Sequence, residues 1–375
     1  MTAARTIIGV VGLGTMGLGI AQVYAAAGYA VIATDAVPAA RSSAAARLHA
    51  ALTARVTAGK LTPQARDATL ANLTVVDSLA ALGPCALVIE AIIEDRAAKQ
   101  ALFVALEPHL AADAVLATNT SSIPVGAIAT ALTRPHNLLA LHFFNPPPAM
   151  RLVELAPHAG TAAAAIATAR ALTTRAGKTV IDCPDRPGFI VNRCARPYYG
   201  EALALYEAGH PAAAIDAAMT AAGYRLGPFA LIDLIGADIN LAATIGLWTA
   251  MGHHPRYHPF DALKAQVASG QLGRKTGAGF VTSAPHAPPP ADAASIALRI
   301  EATLINEACF LTAEGPPPAA IDTALKLGLN FPRGPFEALA LHGASTILAT
   351  LHGLESAAPA HLKTRYLPAP ILQGA

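Results

Sequence analysis

Short apolar runs alternate with longer alanine-rich stretches through the first half of the chain. The apolar runs have the length and β-branched content of buried strands, at residues 6–12, 29–35, 85–92, 114–121 and 137–144. Helical composition occurs between several of them, at residues 16–28, 38–58 and 96–110. Such alternation predicts a parallel sheet with helices on both faces. Two further strands are expected within "RLVELA" (151–156) and "KTVIDC" (178–183).

Beyond Pro187 the pattern becomes helical almost throughout. A long helix is expected over residues 187–209, and further helices continue to about residue 280. A proline-rich stretch at 283–294 is typical of a linker. The pattern therefore predicts an α/β domain at 1–186, an all-α domain at 187–282 and a second helical repeat at 295–375.

The two helical regions resemble each other in sequence. Residues 201–229 and 307–336 share the order of several residues. The matched positions are Glu201 with Glu307, Ile215-Asp216 with Ile321-Asp322, and the Gly-Pro-Phe at Gly227 with the Gly-Pro-Phe at Gly334. Chance similarity between alanine-rich helices would not preserve this order, so the pattern favours an internal duplication.

The composition excludes several classes of protein. The net charge of +2 is too small and too scattered for nucleic-acid binding. Although 54% of residues are hydrophobic, no apolar run approaches the roughly 20 residues of a membrane-spanning helix. The N-terminus leads almost directly into an apolar strand, so no secretory signal is expected and a cytoplasmic location is favoured.

The four cysteines have no spacing that suggests a metal site or a disulfide framework. They are Cys85, Cys183, Cys194 and Cys309. We expect buried thiols in a reducing compartment and no bound metal.

The stretch "VVGLGTMGLG" (10–19) contains the pattern G-x-G-x-x-G at Gly12, Gly14 and Gly17. It follows a predicted strand and opens a predicted helix, and Asp35 ends the next strand, which completes a dinucleotide-binding fingerprint. The first glycine permits a tight turn, the second lets a pyrophosphate approach the backbone, and the third lets helix and strand pack closely. The predicted fold is therefore a Rossmann-type doubly wound sheet followed by helical domains.

Asp35 bears on which nucleotide binds. Its carboxylate can accept hydrogen bonds from both ribose hydroxyls and would repel a 2′-phosphate, and no arginine follows it immediately. These features favour NAD over NADP. FAD, or a nucleotide site without a redox role, remains an alternative on this pattern alone.

Several polar side chains follow the ends of predicted strands, where ligands bind in such sheets. Asn119, Ser121 and Ser122 follow one strand, and His142 and Asn145 lie at the end of the next. We expect these residues to lie close to the nucleotide site.

His142 and Glu154 lie on two apolar runs that a short proline-rich loop joins, in "LHFFNPPPAMRLVEL" (141–155). Strands joined in this way can lie side by side, with the two side chains in contact. A carboxylate that holds one tautomer of a histidine and stabilises its imidazolium makes the histidine a general base. A core histidine and a surface glutamate without such a role is the alternative, which the neighbouring nucleotide site disfavours.

Seven motifs together make the sequence similar to the L-3-hydroxyacyl-CoA dehydrogenase family over residues 6–281. The motifs are "GLGTMGLGIAQ", "VIEAIIED", "NTSSIPV", "HFFNPPPAMRLVEL", "DRPGFIVNR", "GPF.LID" and "GRKTGAGF". The resemblance implies NAD-dependent oxidation of (S)-3-hydroxyacyl-CoA to 3-oxoacyl-CoA, and the reverse reduction, as in fatty acid β-oxidation.

The resemblance also implies roles for individual residues. The catalytic set would be His142, Glu154, Ser121 and Asn192. The cofactor contacts would be Gly12, Leu13, Gly14, Thr15, Met16, Gly17, Asp35, Glu94, Lys99, Asn119, Asn145 and Lys275. Ser121 and Asn192 would hydrogen-bond the reacting oxygen.

The chain departs from the family where coenzyme A is held. The positions that carry a small polar residue and a lysine in the family fall near Ala51 and Ala58. Arg55, with Arg47 and Lys60 nearby, is the candidate substrate contact that could serve instead. Two readings stay open: an acyl-CoA-type substrate, or a hydroxy acid that is free or bound to another carrier.

The second helical repeat has Leu298 where the first has Asn192. We therefore expect it to be structural. It could pack on the first repeat and imitate a dimer interface within one chain, and a homodimer is the alternative.

Overall fold

The computed structural model describes residues 6–282 and 287–374. Part of the predicted linker, residues 283–286, therefore lies outside the described residues. The chain divides into two compact units: unit 1 ends at Arg186, and unit 2 begins at Pro187.

Unit 1 is built on a single sheet. In the described residues its eight strands are β1 (Ile7–Val11), β2 (Ala30–Thr34), β3 (Leu73–Val75), β4 (Leu87–Glu90), β5 (Val115–Thr118), β6 (Leu138–Phe143), β7 (Leu152–Pro157) and β8 (Thr179–Asp182). Their order is β3-β2-β1-β4-β5-β6-β7-β8, and only β6 and β7 pair antiparallel. The change of direction at β1 makes the sheet doubly wound, which confirms the predicted fold class.

The helices of unit 1 connect these strands. They are α1 (Thr15–Ala26), α2 (Pro38–Thr57), α3 (Pro63–Ala71), α4 (Arg96–Leu106), α5 (Val125–Ala129) and α6 (Ala163–Arg175). The sequence pattern did not predict α3 or β3. The reason is that β3 has only three residues, none of them fully buried, so it shows neither alternation nor a continuous apolar run.

The core of unit 1 lies around the central strands. Every residue of β4, β5 and β6 is buried, as expected for strands covered on both faces. The apolar side of α1 packs there through Ile20 and Tyr24, and the Tyr24 hydroxyl is 2.8 Å from the Thr173 hydroxyl on α6. This packing fixes α1, and with it the glycine-rich loop that precedes it.

Unit 2 is helical in the residues described. Its first repeat contains α7 (Val191–Glu207), α8 (Ala212–Ala221), α9 (Pro228–Ile235), α10 (Ala237–Ala250) and α11 (Asp261–Ala268). Its second contains α12 (Ala293–Thr312), α13 (Pro318–Leu329), α14 (Pro335–His342), α15 (Ala344–Ala357) and α16 (Pro370–Gln373). None of these described helices is by itself long and apolar enough to cross a membrane; α9 and α10 pass that test only as a pair bent by 101°.

The long helix predicted from residue 187 begins later, at Val191. Gly188 and Phe189 both have positive φ, at 77° and 45°, which breaks the helical backbone before α7. Pro187 and Gly188 were the sequence signals for this break.

The two repeats pack on each other through their long helices. Helix α7 contacts α12, and each of these also contacts the second helix of the other repeat, α12 with α8 and α7 with α13. The contacts are therefore related by an approximate two-fold axis inside one chain.

Two reciprocal ion pairs follow the same symmetry. Arg193 on α7 lies 2.6 Å from Glu307 on α12, and Arg299 on α12 lies 2.6 Å from Glu201 on α7. Both glutamates are fully buried. A buried carboxylate is costly unless it is paired and hydrogen-bonded, so each repeat depends on the other for a cation.

Matching aspartates hold the third helix of each repeat. Asp216 accepts hydrogen bonds from the backbone amides of Phe229 (2.9 Å) and Ala230 (2.8 Å) at the start of α9. Asp322 does the same for Phe336 (2.8 Å) and Glu337 (3.2 Å) at the start of α14. The glycines that open both Gly-Pro-Phe motifs leave room for these carboxylates, because an added Cβ would lie within 2.3 Å of them.

Candidate active site

The glycine-rich loop lies between β1 and α1. Gly12 has φ +99°, and a Cβ there would lie 2.5 Å from the carbonyl oxygen of Ala91. A Cβ on Gly17 would lie 1.8 Å from the carbonyl oxygen of Gly12, whereas Gly14 has no neighbour within 4 Å. Gly12 and Gly17 therefore permit close backbone packing, and Gly14 leaves the space next to the loop open.

Asp35 is tied to the same loop. Its Oδ2 accepts a hydrogen bond from the Leu13 amide (2.6 Å), and its Oδ1 accepts one from Val37 (2.8 Å). Arg41 donates to the Asp35 carbonyl oxygen (2.5 Å), and Arg47 donates to the Leu13 carbonyl oxygen (2.8 Å). Two arginines of α2 thus bond to the backbone at Asp35 and at the glycine-rich loop. The sequence analysis considered only the residues immediately after Asp35 and did not predict these contacts.

His142 and Glu154 are directly opposite each other in the antiparallel register of β6 and β7. The histidine Nδ1 lies 2.7 Å from Glu154 Oε2. Glu154 is completely buried and His142 is 6% exposed. The pair is the contact that the proline-loop argument predicted, and the low exposure strengthens the interaction between the two groups.

Glu94 organises the loop after β5. Its carboxylate accepts hydrogen bonds from the Thr120 hydroxyl (2.6 Å) and from the backbone amides of Ser121 (2.9 Å) and Ser122 (3.1 Å). Burial raises the pKa of Glu94, but the charge of Lys99 and these hydrogen bonds outweigh burial and lower the pKa overall. An ionised Glu94 therefore holds the backbone on which Ser121 lies.

Lys99 is buried rather than open to solvent. Its Nζ lies 2.6 Å from Glu90 Oε1 and 3.3 Å from Glu94 Oε2. Glu90 also accepts a hydrogen bond from the Thr118 hydroxyl (2.6 Å). Sequence reasoning did not assign Glu90 a role, although a carboxylate inside the apolar run "ALVIEAII" indicated that a cationic partner was needed.

Asn119 and Asn145 lie at the ends of neighbouring strands. Asn119 Oδ1 accepts a hydrogen bond from the Phe143 amide (2.8 Å) and so joins the end of β5 to the end of β6. Asn145 begins the proline loop, residues 145–151, and its bond to Pro146 is cis.

A cleft of about 560 Å³ lies beside the glycine-rich loop. It is lined by residues of α1 and α2, by Lys60 and by the proline loop: Thr15, Leu18, Gly19, Gln22, Leu48, Ala51, Arg55, Lys60, Pro146, Pro147, Pro148 and Ala149. Of the three cations proposed from sequence, Arg55 and Lys60 line this cleft, whereas Arg47 bonds to the glycine-rich loop.

The other two predicted residues belong to unit 2. Asn192 is the second residue of α7, and its carbonyl oxygen accepts a hydrogen bond from Arg196 (3.2 Å). Lys275 Nζ forms an ion pair with Asp238 (2.6 Å). Among the residues that the structure describes, no three His, Cys, Asp or Glu side chains are placed to hold a metal ion.

A doubly wound sheet with this loop, and a buried histidine–carboxylate pair at its strand ends, is typical of a nucleotide-dependent dehydrogenase. Comparison with known families agrees. The family model for the NAD-binding domain of 3-hydroxyacyl-CoA dehydrogenase matches residues 7–186. The model for the C-terminal domain of that enzyme matches residues 188–283 and 296–374. The chain belongs to the 3-hydroxyacyl-CoA dehydrogenase family, with its C-terminal domain duplicated.

Individual relatives agree with this assignment. The chain is 43% identical over 274 residues to the 3-hydroxyadipyl-CoA dehydrogenase of Escherichia coli K12, a match that covers 72% of this chain and 58% of that protein. It is 40% identical to a 3-hydroxybutyryl-CoA dehydrogenase of Mycobacterium tuberculosis, over 75% of this chain and all of that one. A crystal structure of 3-hydroxybutyryl-CoA dehydrogenase from E. coli K12 superposes with a TM-score of 0.91 at 32% identity, over 99% and 98% of the two chains.

These matches confirm the predicted family, the NAD-dependent 3-hydroxyacyl-CoA dehydrogenase class and NAD as cofactor.

Proposed function

We propose that His142 and Glu154 are the acid–base pair of a dehydrogenase that interconverts (S)-3-hydroxyacyl-CoA and 3-oxoacyl-CoA. The 2.7 Å contact between two buried side chains carries this proposal. Because Nδ1 is held by Glu154, we assign proton transfer to Nε2. Glu154 then keeps the neutral ring in one tautomer and stabilises the imidazolium that forms.

The chain's own residues supply the polar environment of the reacting oxygen. His142 takes the proton of the 3-hydroxyl in oxidation and returns it in reduction. Ser121, whose backbone Glu94 holds, hydrogen-bonds the oxygen as charge develops on it. Asn192 has the same proposed role, which is supported by its place in the family's "NR" motif.

NAD fits the residues of the glycine-rich loop. Helix α1 begins at Thr15 with no capping side chain and no acidic residue in its first turn, so its amides suit a pyrophosphate. Asp35 lies beside Leu13, where it can accept hydrogen bonds from ribose hydroxyls. The chemistry that bound NAD supplies is acceptance of the hydride that leaves C3. Glu94, Lys99, Asn119, Asn145 and Lys275 complete the proposed cofactor set, with Lys99 acting through Glu94.

Coenzyme A is the proposed carrier, and the cleft beside the loop is its proposed site. Arg55 and Lys60 place positive charge along one wall, while Ala51 and the prolines offer apolar surface. This combination suits a ligand with phosphates and an uncharged pantetheine arm. A free hydroxy acid could pair its carboxylate with one of these cations, but it has no phosphates and no arm to fill the rest of the cleft, so this alternative is less well supported.

The acyl group is proposed to be short or medium, as in 3-hydroxybutyryl-CoA. The support is the names of relatives, which act on 3-hydroxybutyryl-CoA and 3-hydroxyadipyl-CoA. We expect the highest kcat/KM for a C4 to C6 substrate in a panel of 3-hydroxyacyl-CoA and free 3-hydroxy acids. Faster turnover of a free acid would contradict the proposed carrier.

His142→Ala tests the catalytic assignment. Loss of a general base lowers kcat typically by about 100- to 10,000-fold, and we expect this loss with acetoacetyl-CoA and NADH, while the Kd for NADH stays within about twofold. His352→Ala, an exposed histidine on α15, is the matched control and should keep full activity. Retained turnover in His142→Ala would show that another group transfers the proton.

We also propose that the chain is a monomer in the cytoplasm. The second repeat already covers α7, the long helix of the first, and the four cysteines, all of them among the described residues, are buried and form no disulfide. A mass in solution of twice the chain, with α7 at the interface between copies, would contradict the monomer.

A further inference from the structure

The proline loop both connects two strands of unit 1 and lines the cleft. It connects the strand of His142 to the strand of Glu154, and its residues Pro146–Ala149 form one wall of the cleft. The register of β6 and β7 continues through five residue pairs from Leu139–Pro157 to Phe143–Val153. The catalytic contact is therefore held by the sheet, and the loop can change its position without separating the two side chains.

Lys178 holds the backbone of this loop through hydrogen bonds. It immediately precedes β8 and is 8% exposed. Its Nζ donates hydrogen bonds to the carbonyl oxygens of Pro147 (2.5 Å) and Met150 (2.7 Å). Backbone amides of Ala149 and Met150 donate to the Pro146 carbonyl oxygen and close the turn at 147–149. The ammonium group of Lys178 bridges the start of this turn and the residue that follows it.

The contacts of Lys178 are not explained by fold stability. Burial lowers its pKa to about 8, so keeping the ammonium group charged at this position has a cost. An apolar side chain of similar volume often stabilises a fold as well as a buried charge does. A lysine at this position is therefore better explained by the two carbonyl oxygens that it holds.

The opposite side of the loop is held by α1. A Cβ on Gly19 would lie 2.9 Å from Pro147 Cδ, so the loop packs directly on the backbone of that helix. Pro147 is consequently fixed between Gly19 and Lys178, and both contacts set the width of the cleft on the side of the prolines.

We infer that Lys178 is a positioning residue for the acyl carrier: it fixes the proline loop as a wall of the cleft and thereby sets the KM for the CoA thioester. The inference rests on the proposed placement of coenzyme A in the cleft. It separates binding of the carrier, which depends on Lys178, from proton transfer, which depends on the register of His142 and Glu154.

The test compares Lys178→Met and Lys178→Arg with the native enzyme at saturating NADH. The substrates are acetoacetyl-CoA and the acetoacetyl thioester of N-acetylcysteamine, which keeps only the thiol end of the pantetheine arm and lacks the phosphates and the rest of that arm. Loss of two charge-assisted hydrogen bonds should raise the KM for acetoacetyl-CoA by about 10-fold in Lys178→Met. We expect kcat to stay within about twofold, kcat/KM for the short thioester to stay unchanged, and Lys178→Arg to recover part of the affinity.

Gly19→Ala provides a second test that leaves Lys178 intact. The new methyl group would displace Pro147, and we expect the same rise in KM for acetoacetyl-CoA alone. This variant carries the test if Lys178→Met does not fold. An unchanged KM in both variants, or an equal loss of kcat on both thioesters, would overturn the inference.

The double variant Arg55→Ala/Lys60→Ala separates this inference from the proposed carrier site. If it raises the KM for acetoacetyl-CoA while the Lys178 and Gly19 variants do not, the carrier site stands and the role of Lys178 is wrong. If it leaves that KM unchanged, coenzyme A does not use the cleft and both ideas fail.

Discussion

Compared helix by helix, the two repeats of unit 2 share several internal polar contacts and differ at the position of Asn192. Both repeats keep a buried glutamate paired with an arginine of the other repeat, and both keep an aspartate that caps their third helix. Asn192 is the second residue of α7, and the matched residue in the second repeat is Leu298, inside α12.

This difference distinguishes polar residues that both repeats contain from polar residues that only one repeat contains. A residue present in both copies serves packing, because a second copy without chemistry still has to fold. A polar residue present in one copy only is a candidate for function. The comparison therefore supports a catalytic role for Asn192 and a structural one for Glu201 and Glu307, although all three residues lie on long helices.

The largest expected effect comes from the shared glutamates. Glu201→Ala removes the carboxylate shared by Arg299 and the buried Arg365, and Glu307→Ala removes the one shared by Arg256 and the buried Arg193, which keeps Glu314. Breaking a buried pair costs about 3–5 kcal/mol. We expect similar losses from the two variants in urea unfolding. Asp261→Ala removes an exposed ion pair with Lys264 and should cost less than about 1 kcal/mol. A large loss from only one of the glutamates would mean that the repeats are not equivalent.

The next effect concerns the residue in which the repeats differ. Asn192→Leu gives the first repeat the residue of the second, and loss of a hydrogen-bond donor to developing charge should lower kcat by about 100- to 1,000-fold. The midpoint of unfolding should change little. Leu298→Asn is the reciprocal control, and we expect native activity from it. If Asn192→Leu lost stability but kept kcat, Asn192 would belong with the structural residues.

The smallest effect concerns the helix-capping aspartates and pH. Burial raises the pKa of Asp216 to about 7, against the two backbone hydrogen bonds, which lower it. Between its ordinary pKa and about 7 the folded protein therefore holds a proton that the unfolded chain has lost, so this contribution to stability is largest at low pH and declines as pH rises toward 7. Asp216→Asn, which should cost about 1 kcal/mol as a lost cap, should remove that decline.

Urea unfolding of the native protein and Asp216→Asn from pH 5 to pH 8 measures this difference. Asp322→Asn is the matched variant in the second repeat, where burial also raises the pKa while the charge of Lys326 lowers it. We expect the stability advantage of the native protein over Asp216→Asn to shrink with rising pH, and to do so less for Asp322→Asn. Parallel pH profiles for native protein and Asp216→Asn would show that Asp216 is ionised throughout.

Much of the fold and part of the site could be predicted from sequence because the signals were local. The strand, the glycines and Asp35 lie within a few tens of residues, and their spacing alone indicates a dinucleotide loop. The short loop between His142 and Glu154 limited the ways in which their strands could pair. Short or isolated features escaped detection: β3 has too few residues for a pattern, and Lys178 is a single lysine at a strand boundary.

The duplication and the packing of one copy on the other could be expected from sequence, but the residues that meet between the copies could not. Matched residues such as Glu201 and Glu307 identified two copies, yet each glutamate's arginine lies about 100 residues away in the other copy. No local pattern connects residues at that separation, because the helices that carry them are brought together only when the repeats pack.

The doubly wound domain, the nucleotide loop, the candidate acid–base pair and the repeat could be read from sequence, since each depends on neighbours along the chain or on two similar stretches. Folding was needed to show that Lys99 is buried against Glu90, that Arg47 bonds to the glycine-rich loop while Arg55 lines the cleft, and that Lys178 holds the proline loop. Side chains on separate strands and helices meet only through packing, and the partner that each buried charge finds there decides its role.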